Sequence, residues 1–171
     1  MIVGVPVRKV VKLGHPVLRA PARTLTPKEI AAPEVQRLIE EMAASMLDYE
    51  GVGIAATQVG EGISLFLMGL AEGSSRHKEG IPLTVVFNPE IKFIGDETDL
   101  DYEGCLSVPG LRGKVERFKS LELSGLDHHG KAFKRVLEGF PARVVQHETD
   151  HLNGKVYLDR MNGLTTLTFV D

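Results

Sequence analysis

The chain has 171 residues, 43% hydrophobic and 25% charged, with a formal net charge of −3 and a single cysteine. This balance fits one soluble globular domain over residues 1–171. It gives no sign of a dedicated nucleic-acid surface or of a membrane span. One cysteine suits a reducing compartment, so the cytoplasm is the expected location, and Met1–Lys9 lacks the apolar stretch of a secretory signal.

In chain order, the first strong signal is at 34–50. Val35, Leu38, Ile39, Met42 and Met46 recur at spacings of three and four, which predicts an amphipathic helix opened by Pro33 and closed at Gly51. The glycine-rich stretch Gly51-Val52-Gly53-Ile54-Ala55-Ala56-Thr57-Gln58 follows. It fits G-x-G-x-x-A, but the nucleotide fingerprint must follow a strand and open a helix, and here the order is reversed. Glycines there let the backbone approach other backbone, or a peptide substrate. Segments 63–70, 82–88, 90–95 and 114–126 read as strands, and 131–137 returns across a turn at Asp127–Gly130. The polar stretch 71–80 is the expected mobile loop. Tyr102–Gly110, which holds Cys105, reads as a turn-rich loop beside a strand. A last helix has Pro141 in its first turn and runs to about Leu152, stopped by Asn153-Gly154. The expected fold is α+β: mixed or antiparallel sheets packed around that last helix, plus the N-terminal amphipathic helix.

The last helix carries His147-Glu148-Thr149-Asp150-His151. Positions i and i+4 share a helix face, so both imidazoles can reach one metal ion, and the Glu beside the first can handle protons. Two ligands leave such a site one short of the usual three. Where some relatives of this motif place a third His, this chain has Tyr157, and downstream only Asp159 and Asp171 remain as carboxylates. Cys105 is the leading upstream candidate, since no second cysteine can claim it, although most free cysteines are small buried hydrophobes. His15, His77, His128 and His129 compete, none in a distinctive context. The Gln58 side-chain amide is a suitable donor to a developing oxyanion.

G-V-G-I-A-A-T-Q at 51–58, E-G-C-L-S at 103–107 and Q-H-E-T-D-H at 146–151, in that order, resemble the three signature motifs of the peptide deformylase family. Gly14-His15-Pro16-Val17-Leu18, Asn88-Pro89, Arg112 and Arg117 are similar to the family's flanks, and the resemblance covers roughly residues 8–162. Ile54 stands where Leu is more usual. The resemblance implies that Cys105, His147 and His151 hold one divalent metal, Fe(II) in the cell, with Zn, Ni or Co in purified protein. Glu148 would be the general acid/base, and Gln58 with the Leu106 N–H would stabilise the oxyanion. Gly53 and Ile54 would lie along an extended substrate, Phe140 and Val144 with Ile54 would wall the apolar pocket for its first side chain, and Arg112 would stand near its exit side. The implied reaction is removal of the formyl group from formyl-methionyl nascent chains, with the ribosome as a transient partner. Two rivals remain: a thiol hydrolase with Cys105 as nucleophile, and a non-catalytic metal-stabilised module that binds peptide termini.

Overall fold

The computed structural model describes residues 4–170, so the start of the N-terminal segment and Asp171 lie outside the described residues. A short helix α1 (Pro27–Ile30) precedes the long helix α2 (Pro33–Asp48). Then come β1 (Gly53–Ala55), β2 (Leu65–Leu70), β3 (Ile81–Phe93), β4 (Thr98–Cys105), β5 (Val108–Phe118), β6 (Ser120–Leu126), β7 (Ala132–Glu138), α3 (Gly139–Leu152) and β8 (Thr168–Phe169). The strands form a five-stranded sheet, β1-β2-β3-β6-β7, and a three-stranded sheet, β4-β5-β8. All strand pairs are antiparallel; the parallel contact is an isolated bridge between Arg23 and Ile63. Among the described residues, no helix is long and apolar enough to cross a membrane.

Strand β2 of the five-stranded sheet is buried on both faces. Leu65 and Leu67 of β2 face α2 with Met42 and Met46, while Phe66 and Met68 face α3 with Val144 and Val145. This explains why β2 reads as an unbroken apolar run instead of an alternating one. Helix α3 also reaches the three-stranded sheet, where the Arg143 guanidinium donates to the Val115 carbonyl of β5 at 2.8 Å. The motif helix therefore lies at the meeting of the two sheets.

Four sequence expectations change. The predicted strand 114–126 is two strands in different sheets, exchanging at Lys119. Odd positions stay buried on both sides of the break (Val115, Arg117, Leu121, Leu123), so the period-2 pattern carries no mark of the crossover. Segments 82–88 and 90–95 are parts of one strand, β3, bulged between Phe87 and Glu90. Asn88 takes a left-handed φ of 48° there, and its side chain accepts from the Leu25 N–H at 3.0 Å and donates to the Leu25 carbonyl at 2.8 Å. The loop expected at 102–110 is a hairpin whose two turn residues are Leu106 and Ser107. Pro109 and Gly110 occupy the register shift after the turn, where the ladder is already broken. Helix α2 ends two residues earlier than 50, and Glu50, not a glycine, takes the left-handed turn with φ 54°.

Asn88→Ala strands the amide and carbonyl of buried Leu25. The expected loss of stability is about 2 kcal/mol, within the usual cost of leaving buried polar groups unpaired, read from chemical denaturation.

Candidate metal centre and cleft

Cys105 ends β4 one residue before the hairpin turn, and His147 and His151 sit one turn apart on α3. The Cys105 sulfur and one nitrogen of each histidine lie within 4.8 Å of one another, with Sγ to His151 Nε2 at 3.3 Å. Ligand atoms around a tetrahedral zinc-type ion stand about 3.4–3.6 Å apart, so the triad is close to a three-ligand site with one position open. Burial, with His147 adding to it, pulls His151 well below its ordinary pKa, which keeps the imidazole neutral and its lone pair free. Burial acts the same way on His147, but contacts with Cys105 and Glu103 outweigh it and leave the ring raised.

Glu103 holds His147 in place. Its Oε2 lies 2.9 Å from His147 Nδ1, which leaves Nε2 for a metal. The same carboxylate accepts two bonds from Arg117, at 2.9 and 3.0 Å, and one from Arg143 at 3.0 Å. Arg117 then reaches Asp150 on α3 at 2.7 Å, and Asp150 accepts from Arg160 at 2.7 Å. Burial pushes the Glu103 carboxyl up, yet His147 and Arg117 hold it below the usual carboxylate range. Tyr157 is no ligand here: its ring stacks on His147, with centroids 6.3 Å apart.

Glu148 is 4% exposed, and its Oε2 has no hydrogen-bond partner among the described residues. Burial raises its pKa to about 7, against the pull of His147, so it is poised to take up and release a proton near neutrality. A Cβ built on Gly53 would overlap this carboxylate. Glycine at 53 is therefore needed to make room for Glu148.

The Gln58 carboxamide is buried and fixed at both ends. Its Oε1 accepts from the Ala55 N–H at 2.9 Å, and its Nε2 donates to Ser107 Oγ at 3.3 Å and lies 3.6 Å from Cys105 Sγ. A cleft of about 1000 Å³ runs over these groups, and its walls include Gly53, Gln58, Cys105, Leu106, Arg112, Phe140, Val144, His147 and Glu148. Arg112 lies over the Tyr102 ring at 4.9 Å. The side chain of Ile54 does not line this space. It packs in the core with Leu38, Met42 and Leu67, because neighbours on a strand face opposite ways and Gly53 has the cleft side. Val52 takes its place in the wall, and Arg143 and Asp101 add a polar end that the sequence reading did not anticipate.

The rival ligands lie elsewhere. His15 Nδ1 accepts the Val17 N–H, His77 packs near Phe140, and His128 and His129 lie against each other, tilted, in an exposed turn. Asp159 pairs with Arg19. Sequence reasoning missed Glu103 as a functional group, although it opens the E-G-C-L-S segment. A carboxylate two residues before a candidate ligand on a strand was the available signal.

The polypeptide deformylase family model matches residues 7–166. A peptide deformylase 1 of Nitrosomonas europaea is 39% identical over 167 residues, covering 96% of this chain and 93% of its own. A chloroplastic peptide deformylase 1A of Solanum lycopersicum is 39% identical over 89% of this chain and 58% of its own. Among solved structures, a Met-Ala-Ser-bound class I type b peptide deformylase from Acinetobacter baumannii aligns with a TM-score of 0.86 and 36% identity, covering 92% of this chain and 99% of its own.

Two outcomes are expected from this geometry. Cys105→Ala leaves two imidazoles and should lose bound metal, measured as metal per chain after desalting. Gly53→Ala should force Glu148 or β1 to move and cost about 1–3 kcal/mol from overpacking, measured by denaturation and a crystal structure of the variant.

Proposed function

The chain belongs to the polypeptide deformylase family, and from that premise we propose how its residues remove the formyl group from formyl-methionyl peptides. The observation that carries the assignment is the buried carboxylate of Glu148. Its Oε2 has no partner among the described residues, burial raises its pKa to about 7, and it stands beside a Cys–His–His triad of which it is not a member. A metal site that served only to stabilise the fold would have no use for such a group.

Cys105, His147 and His151 would hold one divalent ion, which when bound supplies Lewis acidity toward water and the formyl oxygen. One thiolate and two imidazoles suit Fe, Zn, Ni and Co alike. The resemblance to the family favours Fe(II) in the cell. Glu148 takes a proton from the attacking water at Oε2. As the C–N bond breaks, it passes that proton to the departing amine, leaving formate and a free N-terminus. Charge building on the formyl oxygen is met by Gln58 Nε2 and the Leu106 N–H. Ser107 occupies one hydrogen of the Gln58 amide, and the other lies toward Cys105.

The peptide lies extended beside β1. The Gly69 N–H donates to the Val52 carbonyl, so Ile54 also faces β2, and the amide and carbonyl of Gly53 face the open edge. Val52, Phe140 and Val144 receive the first side chain, and Arg112 stands toward the exit. The substrates are nascent chains, so the ribosome is a transient partner and the cytoplasm the site of action.

The Cys105–His151 contact also suits a thiol hydrolase, and chelation separates the two. A metalloenzyme loses activity with its metal, whereas a cysteine nucleophile works without one. Glu148→Ala should lower kcat at least about 10²-fold with metal content unchanged. Loss of the metal from that variant would make Glu148 a ligand, and near-parental turnover would remove its role. Formyl-Met peptides should be favoured over formyl-Gly peptides roughly 10- to 10²-fold in kcat/KM, from about 1.5–3 kcal/mol of side-chain burial. Acetyl-Met peptides should be refused. Equal rates for the two formyl peptides would exclude the apolar pocket, and brisk acetyl-Met cleavage would point to a general aminoacylase.

A further inference from the structure

The two groups assigned to the oxyanion belong to different halves of the fold. Gln58 follows β1 of the five-stranded sheet, and Leu106 lies in the β4–β5 turn of the three-stranded sheet. Hydrogen-bond geometry at such a site is sensitive to fractions of an ångström, so something must set the distance between the halves. Residues 11–13 touch both. The Val11 N–H donates to the Gln58 carbonyl at 2.9 Å, and two residues on the Leu13 N–H donates to the Ser107 carbonyl at 2.9 Å. Between them, Lys12 Nζ lies 3.4 Å from the Leu106 carbonyl. Gln58 Nε2 donates to Ser107 Oγ at 3.3 Å and closes the ring. The segment thus spans the gap with two backbone bonds two residues apart, and the Gln58 side chain spans it in parallel.

Both ends of this segment are tied down. Upstream, the Arg8 N–H donates to Ser45 Oγ at 2.8 Å, and its guanidinium pairs at 2.6 Å with Glu41 of α2 and at 2.6 Å with Glu61. Val10 is 1% exposed in the core. Downstream, Gly14 turns the chain with a φ of 103°, His15 caps the Pro16–Arg19 turn, and Leu18 is fully buried. The Gly14-His15-Pro16-Val17-Leu18 segment, which contributes nothing to the metal triad, has a use as this anchor.

We infer that residues 11–13 are a positioning strap for catalysis: their backbone N–H groups set the separation of Gln58 and Leu106, and so the alignment of both donors on the formyl oxygen. Val11 and Leu13 are not themselves among the residues that line the cleft, and their N–H groups act through Gln58 and Ser107. The inference rests on the oxyanion roles proposed above.

The test removes one hydrogen bond and leaves every side chain in place. Val11 is replaced by its α-hydroxy acid, so that an ester oxygen stands where the N–H was. Turnover of formyl-Met-Ala-Ser is measured with metal content and melting temperature on the same sample, in the parent and in Gln58→Ala. In the parent background, kcat should fall about three- to tenfold, the range for one net hydrogen bond, with KM and metal content unchanged. In the Gln58→Ala background, itself slower by on the order of 10²-fold, the ester should change kcat less than about twofold. An equal loss in both backgrounds, or a loss confined to melting temperature, would overturn the strap and leave a merely structural bond. A slow Gln58→Ala beside an unaffected ester overturns the strap alone. A Gln58→Ala as fast as the parent overturns the oxyanion reading and the strap with it.

Discussion

Glu103 is the group on which the rest of the site depends. Its carboxylate is buried between two arginines and a histidine, and each of those partners also belongs to another element. Arg117 comes from β5, and Arg143 and His147 from α3, while Glu103 itself is on β4. One pair of oxygens therefore fixes the motif helix against the three-stranded sheet and turns the His147 ring to present Nε2. Burying charge this way is costly, and a buried ion pair is weak evidence for stability. Its use here is geometric. Removing the carboxylate would leave Arg117 to Asp150 and Arg143 to the Val115 and Asp99 carbonyls, and would free an imidazole at once. Asp150 and Arg160 extend the same network beyond Arg117 to the segment after α3.

The antiparallel sheets supply what the helix cannot. A metal needs ligands from several directions, and a single helix face offers two. The third comes from a hairpin tip, where Cys105 pairs with Val108 just past a register shift and its sulfur meets α3 at His151. Glycine at 53 clears the volume into which Glu148 extends. The centre is assembled where a helix, a hairpin and a short edge strand meet, each contributing a group the others lack.

Much of this was legible in the sequence. Period 3.6 marked α2 and α3, and the three motif segments identify the residues that the fold brings together at the triad and cleft. What escaped did so for physical reasons. Strands β5 and β6 share one phase through the change of sheet, so alternation alone cannot separate them. Pro109 and Gly110 look like loop punctuation yet sit inside a hairpin, because a break in register had already removed the bonds they would cost. Ile54 belongs to an apolar strand with both sides buried, and composition gives no clue to which side meets the cleft. Glu103 was passed over because a lone acidic residue in a motif does not reveal its partners, Arg117 and Arg143, which lie 14 and 40 positions away.

The five-stranded sheet ends in two edge strands that are protected in different ways. On β7, Lys134, Arg135 and Glu138 put charge along the rim, a common defence against strand-to-strand association. On β1, Gly53, Ile54 and Ala55 are uncharged, and the defence there is brevity: three residues, followed at once by a tight turn in which the Ala55 amide is already taken by Gln58. An edge so short can hold one end of an extended chain but offers too few bonds to template a second copy of itself. The fold thus keeps an open backbone rim at its working cleft without the usual risk of aggregation.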